Sequence, residues 1–150
     1  MEEGISDELF SDLTYSMCRA VGELFGRSGN AYMSRVGRVL LAGFEDRGWI
    51  PSGIDDPLEI LNRVFKNIVE LGYADYLIAT REGNEIKLEF QGIKGYGAEE
   101  RLQIEDAKVK PLYITSLSIA ILEKYLQKKV NYGKYGFGDG NTYSTIILEE

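Results

Sequence analysis

Few side chains in this 150-residue chain are placed to make or break bonds. It contains no histidine, which removes imidazole activation of a serine or cysteine nucleophile and imidazole ligation of metals. The one cysteine, Cys18, sits inside an amphipathic helical pattern. It can form no intrachain disulfide or multi-cysteine zinc site, and is expected as a small buried residue. GIKGYG at 92–97 has the glycine spacing of a phosphate loop, but lacks the following Lys-Ser/Thr and a surrounding βαβ unit. GDGN at 138–141 is a fragment of a calcium loop without its acidic spacing or terminal Glu, and reads as a turn. The carboxylate pairs Asp55-Asp56, Glu99-Glu100 and Glu105-Asp106 read as caps or solvated loop charge. An acid–base role would need partners that spacing does not supply.

The most suggestive constellation is aromatic: Tyr113, Tyr125, Tyr132, Tyr135, Phe137 and Tyr143. One reading is packing between a hairpin and a helix. The other is an apolar cavity with phenol hydroxyls at its mouth, the usual make-up of a ligand pocket.

Composition narrows the partners. A net charge of −7 without a basic run argues against a phosphate-backbone partner, so no nucleic acid is expected. Arg35, Arg38 and Arg47 read as a solvated helix face. The N-terminus is acidic, without the layout of a signal peptide. No uncharged apolar run approaches the ~20 residues needed to span a bilayer. The expectation is a cytoplasmic protein of one domain over residues 1–150, with 44% hydrophobic residues to build a core.

The element that must hold these groups in place is Pro111 to Lys129. From Pro111 to Leu122 it carries no charge. On a helix its apolar side chains point nearly all round: Ile114, Leu117 and Ile121 on one side, Leu112, Ile119 and Leu122 on another. Such a helix must be enclosed. Before it, Leu9, Leu13, Met17, Val21 and Leu24 recur at helical spacing, with Ser6 or Asp7 as N-cap and Gly26 or Gly29 at the end. A second helix is expected over 31–47, its Gly37 and Gly43 permitting close approach of another helix or a ligand. A third starts at Asp56-Pro57, with Glu59 completing a capping box. Tyr76 to Thr80 and Glu85 to Gln91 read as a hairpin with one buried face. Residues 99–110 carry no clear pattern. Val130 to Phe137 and Thr142 to Leu148 read as a closing hairpin whose glycines suggest bulges or close approach. The fold class is therefore α+β: a helical layer packed on an antiparallel sheet of two hairpins, with a buried central helix.

Three stretches resemble the 4-vinyl-reductase-like, or hydrocarbon-binding, domain family, which shares its fold with subunits of the TRAPP trafficking complexes. NAYMSRVGRVLLAGF (30–44) is similar to that family's Gly-containing second helix. PLYITSLSIAILEKYLQKKVN (111–131) is similar to its central helix, and YGFGDGNTYSTIIL (135–148) to its closing Gly-Asp hairpin. Many members carry cysteines on that hairpin. Here Tyr135 and Thr142-Tyr143 stand there, so no metal or cysteine-dependent role carries over and no cofactor is expected.

The resemblance implies a non-catalytic small-molecule-binding domain that often dimerises. The leading expectation is an apolar ligand held between helices and sheet, with Phe44, Tyr113, Leu117, Ile121, Phe137 and Tyr143 as walls and Gly37 permitting close approach. An alternative is a homodimeric assembly module. A third is a histidine-free enzyme, which would need a cleft where a tyrosine meets a carboxylate or lysine of perturbed pKa.

Overall fold

The computed structural model describes residues 6–26, 29–107, 109–138 and 141–149, with backbone only at 29, 30, 137 and 138. The elements run α1 (Asp7–Phe25), α2 (Gly29–Asp46), α3 (Pro57–Glu70), β1 (Tyr76–Glu82), β2 (Glu85–Gln91), α4 (Tyr96–Ile104), α5 (Tyr113–Leu126), β3 (Val130–Gly138) and β4 (Asn141–Leu148). The α+β class follows, with a four-stranded antiparallel sheet in the order β1-β2-β4-β3. The chain divides into two compact units. One takes Met1–Met33 with Lys94–Leu112, the other Ser34–Ile93 with Tyr113–Glu150.

In the first unit, α1 starts where the Ser6 hydroxyl accepts from Leu9 N–H. It ends at Gly26, whose positive φ of 55° suits glycine. α4 occupies the stretch that shows no pattern in sequence. Gly95 starts it in the left-handed region, at φ 84°, and the Asp7 carboxylate accepts from the Gly95 N–H at 2.9 Å. α1 and α4 run in the same direction, since Ser11 lies by Gly97 and Tyr15 reaches Glu105. The α1 side that meets α4 is thus Asp7, Ser11 and Tyr15, where Thr14 and the predicted core residue Cys18 are buried.

The second unit is built on the sheet. Leu77 and Ala79 of β1 pair with Phe90 and Leu88 of β2, and Leu88 and Ile86 pair with Ser144 and Ile146 of β4. All of these are buried, so they define the inner face. α3, capped by Asp56 with Pro57 in its first turn, buries Ile60, Leu61, Val64, Phe65 and Ile68. Glu59 pairs with Arg63 one turn on. Asn62 exchanges two hydrogen bonds with the backbone of Ala79, donating to its C=O at 3.0 Å and accepting from its N–H at 2.9 Å. It thereby occupies the open edge of β1, where a further strand would otherwise pair.

α5 is the enclosed helix its composition predicts: Thr115 to Leu122 are all buried. Its hydroxyls are satisfied inside the unit. Thr115 Oγ1 meets Ser144 Oγ at 2.8 Å, Ser116 Oγ meets the Tyr132 hydroxyl at 2.7 Å, and Ser118 donates to Ile114 C=O. A β-bulge lies between Tyr132 and Tyr135 of β3. There Gly133 sits against Thr145, and the Thr145 hydroxyl accepts from Lys134 N–H at 2.8 Å. Of the predicted turn at 138–141, residues 139 and 140 lie outside the described residues.

Candidate functional site

Polar chemistry concentrates in the first unit, in a cluster that spacing alone does not single out. α1 presents Tyr15 and Arg19 one turn apart, and α4 carries Arg101 and is capped one turn on by Glu105. The Glu105 carboxylate accepts from the Tyr15 hydroxyl at 2.7 and 3.0 Å, from Arg19 Nη1 at 2.9 Å and from Arg101 Nε at 3.2 Å. The Arg101 guanidinium also stacks on the Tyr15 ring, 3.7 Å from its centroid. Two clefts flank the cluster. One, of about 250 Å³, is lined by Cys18, Arg19, Gly22 and residues 105–107. The other, of about 350 Å³, is lined by Asp7, Ser11, Asp12, Tyr15 and Arg101 among others.

This is the meeting of tyrosine and carboxylate that a histidine-free enzyme would need, but its electrostatics run the wrong way. Donating to Glu105 raises the Tyr15 pKa above its ordinary value. Accepting from Tyr15, and then from Arg101, lowers that of Glu105. The phenol therefore keeps its proton and the carboxylate its charge across the neutral range, so neither is poised for proton transfer. The arrangement is suited to fastening α4 on α1.

The expected wall residues all belong to the second unit. Leu117 and Ile121 are buried on α5, at 1% and 0% exposure. Gly37 lies where α2 crosses α5, and a Cβ there would run into the Ser116 carbonyl. One turn-pair further along, Lys124 is ion-paired to Glu45, so α2 and α5 run in the same direction. Phe44 is half-buried and packs edge-on against Trp49, 5.1 Å between centroids. Tyr113, half-buried, opens α5.

Tyr143 is not brought to this group. It is 43% exposed on the outer sheet face, over Gly136 and beneath the Lys87 ammonium. The Phe137 side chain lies outside the described residues. Neither described cleft takes a wall from any of these seven residues. Among the described residues there is no group of three or more Cys, Asp or Glu able to hold a metal. Nor is any helix long and apolar enough to cross a membrane.

No family model and no curated protein matches the sequence. Solved structures do match in fold, and they are H-NOX domains. A mutant T. tengcongensis H-NOX is 18% identical, with a TM-score of 0.56 over 99% of this chain and 76% of that one. An H-NOX studied for haem distortion is 16% identical, TM-score 0.55, over 99% and 73%. An oxygen-binding H-NOX domain related to soluble guanylate cyclases, in its oxygen complex, is 17% identical, TM-score 0.52, over 100% and 75%.

The chain thus has the H-NOX-like fold. The resemblance to 4-vinyl-reductase-like domains and trafficking-complex subunits is corrected by this finding, and with it the hydrocarbon-binding label. The physical reason lies in the three stretches themselves. A glycine that clears a neighbouring carbonyl, a helix enclosed all round and a bulged glycine-rich hairpin are demands of packing. They mark a layout of elements and no particular ligand.

The haem named for such domains finds no imidazole here. Haem iron is held by histidine, cysteine thiolate, tyrosine or methionine. Histidine is absent from the whole chain. Cys18, 2% exposed, borders the 250 Å³ cleft, which is smaller than the ~300–1,000 Å³ usual for small-molecule pockets. An imidazole-held haem therefore does not fit the residues present.

Proposed function

We propose that this chain is a non-catalytic small-molecule-binding domain that takes an apolar ligand without haem. The observation that carries the reading is the fold: nearly the whole chain follows domains described as oxygen-binding or haem-containing. The absence of histidine separates it from any imidazole-held haem. The walls we assign to the ligand are Phe44, Tyr113, Leu117 and Ile121, on or beside α5. Support comes from the uncharged first turns of that helix and from the half-burial of Phe44 and Tyr113 at its flank. Gly37 serves the site indirectly, by letting α2 lie against α5.

Native mass spectrometry of freshly purified protein tests the reading. The expected result is a non-covalent adduct of roughly a few hundred daltons, the scale of one small ligand, lost on denaturation. Added haemin should leave the spectrum without a stoichiometric haem complex. Tight one-to-one uptake of haemin would overturn the haem-free assignment. A bare chain that also gains no thermal stability from any member of an apolar ligand panel would overturn the binding assignment.

A further inference from the structure

α4 is held in place differently from α3 and α5. Those helices bury long runs of side chains, whereas α4 buries only Ala98 and Leu102 over its nine residues. Its principal neighbour among the elements is α1, and polar groups tie both ends of that contact. At the start the Asp7 carboxylate accepts from Gly95 N–H. At the end the single carboxylate of Glu105 gathers Tyr15, Arg19 and Arg101. Elements with few buried apolar contacts and exposed polar ties open at a lower free energy than the core.

The backbone on either side favours such an opening. Upstream, Gly92 and Gly95 both hold positive φ, 63° and 84°. Downstream, α4 closes in a Schellman turn: Ala107 N–H donates to Leu102 C=O at 2.9 Å, and Asp106 N–H to Gln103 C=O at 3.0 Å. The left-handed position of that turn, usually a glycine, is Asp106 at φ 51°. The turn that presents Glu105 is therefore itself strained. Beyond these points the chain is pinned, for Ile93 and Val109 are buried.

We propose that residues 94–107 form a strap that opens from α1 as one unit while the sheet stays folded, with Glu105 as its latch and Cys18 beneath it. The strap belongs to the first unit and is independent of the ligand reading, whose walls lie in the second. Opening breaks the bonds from Tyr15 and Arg19 to Glu105 and the stacking of Arg101 on Tyr15. It strands no charge: Arg19 retains Glu23, 3.4 Å away on its own helix, and Arg101 and Glu105 enter water. A nine-residue helix freed of its neighbour is marginal in water, so opening melts α4 and exposes its amides. It also uncovers the thiol, since Cys18 is 2% exposed and residues 105–107 wall the cleft it borders.

Native-state hydrogen exchange of the full chain, with thiol labelling of Cys18, tests the proposal. The α4 amides should exchange about tenfold or more faster than those of β2 and β4. Glu105→Gln should speed both α4 exchange and Cys18 labelling by about fivefold. A staple supplies the opposite change. A Cβ at Gly97 would lie 3.9 Å from the Ser11 Cβ, the spacing of a disulfide. The oxidised Ser11→Cys/Gly97→Cys variant should slow α4 exchange and Cys18 labelling toward the rate of the sheet amides, and reduction should restore both. Wild-type α4 amides that exchange no faster than the sheet overturn the strap. Rates indifferent to Glu105→Gln overturn the latch. A stapled chain whose Cys18 reacts as fast as before overturns opening as one unit.

Discussion

Gly37 and Gly43 lie on the same helix and meet different surroundings. A side chain at Gly37 would strike the Ser116 backbone, whereas one at Gly43 would meet only the flexible end of Arg47, at 3.4 Å. In an open helix, replacing glycine by alanine gains roughly 1 kcal/mol. Gly43→Ala should therefore raise stability by up to about that amount. Gly37→Ala should lower it by about 1–3 kcal/mol, because backbone cannot give way as a side-chain tip can. Urea denaturation of the two variants side by side checks the pair, and equal signs would contradict the packing described. That both glycines break the propensity of α2 is plain from sequence. Which of them is needed is not, because the carbonyl that decides it comes from residue 116.

At the scale of elements, the fastening of α4 to α1 depends on pH in a definite direction. Glu105 titrates below the ordinary carboxylate value in the folded chain, chiefly through the Tyr15 hydroxyl. Its contribution is complete above the carboxylate range and is lost as pH falls through the lowered value. Tyr15 titrates above its ordinary value. Its share persists at neutral pH and fades only as pH climbs through that raised value. The stability difference between wild type and Glu105→Gln should thus be largest near neutrality and shrink in acid. Urea melts at stepped pH measure it, and a difference constant down to low pH would rule out Glu105 as the titrating anchor.

This cluster also marks where sequence reading runs out. α1, α3, α5 and both hairpins follow from periodicity, caps and turn residues, and the structure has them within two or three residues of the expected ends. α4 does not, because it has no apolar stripe: only Ala98 and Leu102 are buried on it, and its hold on α1 is largely polar. The aromatic set fails as a site signal for a related reason. Alternation along β4 sends Tyr143 to the face opposite Ser144, and the bulge in β3 resets the alternation between Tyr132 and Tyr135. Rings close in sequence are thereby dealt to different surroundings.

For the molecule as a whole, the sheet order carries a consequence in time. β1 with β2, and β3 with β4, are hairpins that close short loops. The central pairing of β2 with β4 joins Gln91 to Asn141 and Glu85 to Ile147, far apart along the chain. Closing so long a loop carries the larger entropy cost and comes late unless something else gathers the strands first. Asn62, stitched to Ala79 across a short stretch of chain, belongs to the part that can form early. The Thr115–Ser144 contact belongs to the part that cannot. Stopped-flow refolding should show Asn62→Ala slowing folding, and Ser144→Ala acting mainly by speeding unfolding. The reverse pattern would place the nucleus around β4. The edge that Asn62 closes to other strands is thus also where we expect the sheet to begin.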